Sequence, residues 1–155
     1  MPTKEQPTNP IKTTAIETFN EAWKFLNKKK LNKEEKITLL NLVHTSFYLW
    51  QQVPECTTTN ISISLWQISR AYAHIGDGAN ALLFAEQNIK LCKKEKPDSF
   101  YTAYAYESAA RALIVLDNKE KAASQINLAV KVVKTSTEKH LDSFNKDIEE
   151  LKKLL

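Results

Sequence analysis

The only two arginines of this 155-residue chain, Arg70 and Arg111, lie 41 residues apart in two segments that match in register. The first segment reads Ile-Ser-Arg-Ala-Tyr-Ala-His-Ile-Gly-Asp, and the second reads Ala-Ala-Arg-Ala-Leu-Ile-Val-Leu-Asp-Asn. Guanidinium groups bind carboxylates and phosphates through paired hydrogen bonds. In a chain that otherwise relies on lysine, two arginines at equivalent positions predict a shared anion-binding surface.

Aromatic and acidic residues at helical spacing accompany both arginines. Trp66 precedes Arg70 by four residues, and Glu107 precedes Arg111 by four, so each pair shares one helix face. Tyr104 lies one turn before Glu107. If these side chains share a groove, they could clamp a carboxylate, a phosphate or an extended peptide; the alternative is a surface Glu107–Arg111 ion pair of little energetic value. If the groove exists, alanine at both arginines should abolish partner capture without lowering thermal stability.

The remaining reactive side chains give no catalytic pattern. His44 and Tyr48 share a face of a predicted helix, where a lone histidine is more often a hydrogen-bonded structural residue than a base or ligand. An enzyme would need the fold to join separate groups, such as His44 and Glu107. Cys56 and Cys92 lack metal-ligand spacing, and no P-loop, dinucleotide, zinc-protease or nucleophile-elbow motif is present. The sequence therefore predicts no enzyme, no metal and no cofactor.

Composition narrows the class of partner. The chain is 43% hydrophobic and 26% charged, which is typical of soluble globular proteins. Its net charge of +4 is spread evenly, without the basic block that phosphate neutralisation requires. There is no run of 18 apolar residues and no apolar core of a secretory signal near Met1. These observations predict a cytoplasmic protein with neither a nucleic acid nor a membrane as partner.

The distribution of helix breakers predicts an all-α fold. Both glycines fall in one turn, and five prolines leave long uninterrupted stretches between them. Possible capping boxes place helix starts at Thr14 and Asn32, and the last helix is predicted to start near Ser136 or Thr137. Short connections require antiparallel neighbours. The expected organisation is a flexible tail, 1–12, and one domain, 13–155, with hairpins at about 13–53, 58–95 and 98–134 and a final helix at about 136–154.

The repeated segments resemble the tetratricopeptide repeat. The first copy runs from Leu65 through Tyr72 to the Gly76 turn, and the second from Tyr106 to the Asp117 turn, both turns being predicted left-handed. Small residues in both copies allow the paired helices to approach closely, including Ala71, Ala81, Ala112, Ala122 and Ala129. The period of 41 exceeds the usual one of about 34, and the first two helices look like a degenerate first hairpin.

A narrower likeness, carried by residues 44–50, 66–72 and 103–112, is to an uncharacterised family of small bacterial repeat proteins, and it implies no activity. The tetratricopeptide resemblance implies a right-handed stack of hairpins whose first helices line a concave groove that binds a protein or peptide. Groove candidates are Trp66, Arg70, Tyr104, Glu107, Arg111, His44 and Tyr48. The alternative function is a small-molecule or anion sensor with Trp66, Arg70 and Arg111 as its pocket.

The final predicted helix carries one apolar stripe, formed by Leu141, Phe144, Ile148, Leu151 and Leu155. Repeat arrays need such a helix to cover the open end of the stack, so the stripe favours a capping helix on a monomer. The alternative is a dimerising structural protein that pairs through residues 141–155.

Overall fold

The computed structural model describes residues 8–155, which form seven helices and no strand, so the all-α prediction is confirmed. The helices are α1 (Pro10–Leu26), α2 (Lys33–Trp50), α3 (Thr58–His74), α4 (Gly78–Glu95), α5 (Ser99–Val115), α6 (Lys119–Val133) and α7 (Asp142–Lys152). Of the predicted tail 1–12, residues 1–7 lie outside this description, and residues 10–12 belong to the first turn of α1.

Consecutive helices pack as antiparallel hairpins arranged in two layers. α1 packs on α2, α3 on α4 and α5 on α6, while α2–α3 and α4–α5 contacts join successive hairpins. Among the described residues, the odd-numbered helices also contact each other, α1 with α3 and α3 with α5, whereas α2, α4 and α6 do not. The odd-numbered helices are therefore closer together, and their layer is the inner, concave side of the stack.

Small residues allow the helices to approach this closely. Ala71, Ala81, Ala112, Ala122 and Ala129 are all fully buried, as their spacing in the repeats predicts. The first hairpin, which lacks the repeat pattern, packs on α3 through the apolar cluster of Ala22, Leu39, Val43, Ile68 and Ala71, and one polar side chain adds to this contact. The amide of Gln67 on α3 donates a 2.9 Å hydrogen bond to the carbonyl oxygen of Phe19 on α1.

Side-chain caps fix most helix starts. Asn32 and Glu35 form the predicted capping box of α2, and the side chains of Asp77 and Asn118 cap α4 and α6. The predicted start of α1 at Thr14 is wrong, because Asn9 caps the helix and Pro10 occupies its first turn. Proline is favoured there because it has no backbone N–H to leave unpaired.

Two equivalent turns close the repeated hairpins with left-handed residues, as predicted. Gly76 has a φ of 86° and Asp117 a φ of 57°. Each is followed by an N–H that bonds back into the preceding helix, Asp77 to the Tyr72 oxygen and Asn118 to the Leu113 oxygen. The shared geometry shows that the sequence repeat is a structural repeat.

The last helix starts later than its sequence predicts. Ser136 and Thr137, the predicted start, use their hydroxyl groups to bond Asp98 at the N-terminus of α5, each at 2.6 Å. α7 then begins at Asp142 and has no side-chain cap. Three members of its predicted stripe, Phe144, Ile148 and Leu151, are buried in a cluster with residues of α5 and α6.

No helix within residues 8–155 combines the length and apolar character needed to cross a membrane.

Candidate functional site

The two arginines converge on one carboxylate, which belongs to α7. Arg70 Nη1 on α3 lies 3.5 Å from Asp147 Oδ1, and Arg111 Nη2 on α5 lies 3.9 Å from the same oxygen. The hydroxyl of Tyr104 on α5 donates to Asp147 Oδ2 at 3.3 Å. We call Arg70, Arg111 and the Tyr104 hydroxyl the carboxylate site. The equivalent register of the arginines brings them together on the concave layer, as the repeat implies.

Glu107 lies behind this site and is fully buried. Its Oε1 accepts hydrogen bonds from Arg111 Nε at 3.0 Å and Arg111 Nη2 at 2.5 Å, and its Oε2 accepts one from Trp66 Nε1 at 3.1 Å. The Glu107–Arg111 pair is thus a buried ion pair rather than an exposed one. Removing one partner of such a pair is far more destabilising than breaking a surface pair.

Arg70 lies between two tryptophans. Its guanidinium carbon is 5.7 Å from the ring centre of Trp23 on α1 and 5.5 Å from that of Trp66 on α3. These distances are within the range of cation–π attraction, and indoles are the strongest partners. Arg70 therefore joins α1, α3 and α7, with an aromatic surface along its length and a carboxylate at its tip.

A groove of about 910 Å³ lies beside the carboxylate site. α3 forms its floor, the C-terminal end of α1 and the residues after it form one wall, and α7 forms the other. The lining residues are Trp23, Leu26, Asn27, Lys28, Lys29, Trp66, Arg70, His74, Tyr104, Ser143, Lys146, Asp147 and Glu150. This volume falls within the range of ligand-binding clefts.

An aromatic pocket of about 280 Å³ is adjacent to the groove. Its lining residues are Ser62, Ile63, Trp66, Phe100, Tyr101 and Tyr104. Trp66 and Tyr104 line both spaces and meet edge to face, with their ring centres 5.4 Å apart. The concave layer therefore has an apolar half next to a charged half.

Burial changes the acidity of two groups at the carboxylate site. Burial, together with the negative charge of Glu107, raises the pKa of Asp147 above its ordinary value, although Arg70 and Arg111 pull it the other way. Burial also raises the pKa of the Tyr104 phenol, and the neighbouring Asp147 adds to that effect. The hydroxyl of Tyr104 is therefore a hydrogen-bond donor at neutral pH.

The other predicted groove candidates lie elsewhere. His44 Nε2 is 3.0 Å from the hydroxyl of Tyr72, and its ring packs against Phe84, so its contacts are within the core between hairpins. Burial lowers the pKa of His44. Tyr48 is 63% exposed and lines neither the groove nor the aromatic pocket. The structure brings Trp66, Arg70, Tyr104, Glu107 and Arg111 together and leaves these two apart.

Trp23 and Asp147 complete the site, although the repeat pattern does not predict either of them. Trp23 lies on a helix outside the 41-residue register, and Asp147 lies on a helix outside the repeats. A helical projection of α7 places Asp147 beside the apolar stripe, and that position is the one signal in the sequence. In residues 8–155 no group of three or more histidine, cysteine, aspartate or glutamate side chains is arranged to hold a metal ion.

Comparison with known proteins gave no match to a family model, to a curated protein or to a solved structure.

Proposed function

We propose that this chain is a non-enzymatic interaction module that holds an extended peptide segment in the groove between α1 and α7. The tetratricopeptide resemblance, which implies this class of function, is part of the same proposal. The observation that carries it is the concave groove itself, about 910 Å³ in volume and adjacent to an aromatic pocket. We propose that the binding unit is a monomer, because three residues of the stripe that would pair two copies, Phe144, Ile148 and Leu151, are buried within the chain, and that it acts in the cytoplasm.

The side chains around the groove suggest what the segment looks like. The aromatic pocket has room for one aliphatic or aromatic side chain, and large apolar anchors of this kind dominate peptide affinity. Lys28, Lys29 and Lys146 line the neighbouring groove, and Lys28 is paired with Glu35. A segment with an apolar anchor followed by acidic residues would match both halves.

Peptide selection tests this function even though the partner is unidentified. Random peptides displayed on phage would be selected on the full chain and then measured against two matched variants. Ser143→Trp places an indole in the groove from an exposed position of α7, and Asn145→Trp places one on the same helix away from the groove. We expect selected peptides to bind the original chain and Asn145→Trp alike, and Ser143→Trp about tenfold or more weakly. Absence of enriched peptides, or equal binding to both variants, would contradict the proposal.

The alternative function, a sensor of small anions, is favoured by the convergence of Arg70 and Arg111 on one carboxylate oxygen. Thermal unfolding in the presence of acetate, phosphate and citrate at constant ionic strength separates the two functions. A selective rise of the melting temperature with one anion, together with the absence of peptide binders, would favour the sensor.

A further inference from the structure

We propose that Asp147 is an internal ligand of the carboxylate site and that an acidic side chain of a bound segment replaces it there. This inference rests on the proposed function, because it names the chemistry of the segment and the contact that controls its entry. In the structure, Asp147 holds the position that a ligand carboxylate would need, within reach of Arg70, Arg111 and Tyr104.

The geometry of Asp147 is loose compared with that of the ion pair next to it. Its three contacts measure 3.5, 3.9 and 3.3 Å. Glu107 binds the same Arg111 at 2.5 and 3.0 Å. Charge-assisted hydrogen bonds of good geometry are about 2.7–2.9 Å long. Asp147 therefore leaves much of the hydrogen-bonding capacity of Arg70 unused, and a carboxylate that is not fixed to a helix can approach more closely.

The side chain of Asp147 can also move out of the carboxylate site while α7 stays packed on the stack. Phe144, Ile148 and Leu151 anchor the buried face of the helix, whereas the side chain of Asp147 is 17% exposed at the edge of the groove. A change of rotamer is enough to move such a carboxylate towards solvent. The raised pKa of Asp147 agrees with this view, because burial and Glu107 together oppose its ionised form where it now lies.

The lysines along the groove indicate the charge of the bound segment. Lys29 and Lys146 line it beyond Arg70, and neither forms an ion pair among the described residues. When Asp147 swings out, Arg70 retains only its two tryptophans, and the local charge becomes more positive. The lining then holds Glu150 as its remaining acid against Arg70, Lys29 and Lys146, so an acidic segment complements it, and the occupant is one that carries glutamate or aspartate.

Binding of hexaglutamate to the full chain and its variants tests the inference. Asp147→Asn removes the internal carboxylate while keeping the shape of the side chain. Asp142→Asn, at an exposed position of the same helix, changes the net charge equally and is the matched control. We expect Asp147→Asn to bind hexaglutamate about tenfold more tightly than either the original chain or Asp142→Asn, because no internal ligand competes. Adding Arg70→Gln to Asp147→Asn should remove the gain, and hexaglutamine should bind none of the variants.

Three results would overturn the inference: equal affinity of the two asparagine variants, a gain that survives Arg70→Gln, or no binding of hexaglutamate to any variant. Circular dichroism of each variant verifies that it is folded before affinities are compared. A failure of this inference can be distinguished from a failure of the proposed function. Selected peptides that lack acidic residues and ignore Asp147→Asn would overturn only this inference. The absence of both selected peptides and hexaglutamate binding would overturn the proposed function together with the inference.

Discussion

Because Glu107 is buried, substitutions of Arg111 and Arg70 should differ in their cost to stability. Arg111→Ala leaves a fully buried carboxylate with only the Trp66 N–H as partner. We expect this change to lower the free energy of unfolding by about 3 kcal/mol, measured by urea denaturation, because an unpaired buried charge is costly. Arg70→Ala, which leaves the more exposed Asp147 behind, should cost about 1 kcal/mol.

Glu107→Gln added to Arg111→Ala should recover part of the lost stability, since it removes the buried charge. Equal losses for the two single arginine variants would contradict this account of Glu107. It also follows that alanine at both arginines, the test suggested by the sequence, would confuse loss of binding with loss of folding. Arg70→Gln is the cleaner change for binding experiments.

Asp98 makes a pH-dependent contribution to stability. Hydrogen bonds from Ser136, Thr137 and Phe100 hold the pKa of its carboxyl well below the ordinary value of 3.8. Because the folded pKa is lowered, the stabilisation by ionised Asp98 is complete above the ordinary pKa of 3.8. It is lost as the pH falls from there towards the folded pKa. Asp98→Asn should therefore cost about 1 kcal/mol at neutral pH and less at about pH 2.5.

Urea denaturation at both pH values measures this difference, with Asp142→Asn as the control for a general charge effect. A cost that stays constant or grows towards low pH would contradict the role of the ionised Asp98.

Among the secondary-structure elements, the repeated hairpins need a residue with a left-handed backbone conformation in each turn. Gly76 has a φ of 86°, and an added Cβ there would meet no atom within 4 Å. Gly76→Ala should still lower the free energy of unfolding by about 1 kcal/mol, because the backbone conformation rather than a clash disfavours alanine. Gly76→Asn should cost less, since asparagine tolerates this conformation. Equal stability of the alanine and asparagine variants in thermal denaturation would contradict this explanation.

Element boundaries could be predicted where the signal was local. The Asn32–Glu35 capping box and the caps at Asp77 and Asn118 each join residues three positions apart. The start of α7 could not be predicted, because Ser136 and Thr137 bond Asp98, which is distant in sequence. A serine or threonine before an apolar stripe is an N-cap only if no tertiary partner takes its hydroxyl.

In the molecule as a whole, the 41-residue repeat explains which site residues could be predicted from the sequence and which could not. Equivalent positions on α3 and α5 project to one side, so the meeting of Arg70 and Arg111 could be predicted from their register. The contributions of Trp23 and Asp147 could not, because the helices that carry them, α1 and α7, are placed by long-range packing outside that register. The 41-residue period predicted the residues at the centre of the groove, whereas its two walls, α1 and α7, could be placed only from the structure.

Indole N–H resonances of the three tryptophans report directly on binding in the groove, since two of them, Trp23 and Trp66, line the groove and Trp50 does not. A selected peptide would be titrated into the isotopically labelled chain, and the three signals would be assigned from single Trp→Phe variants. We expect the Trp23 and Trp66 signals to shift with one common dissociation constant and the Trp50 signal to shift least. Shifts confined to Trp50, or none at any tryptophan in a saturated complex, would contradict binding in the groove between α1 and α7.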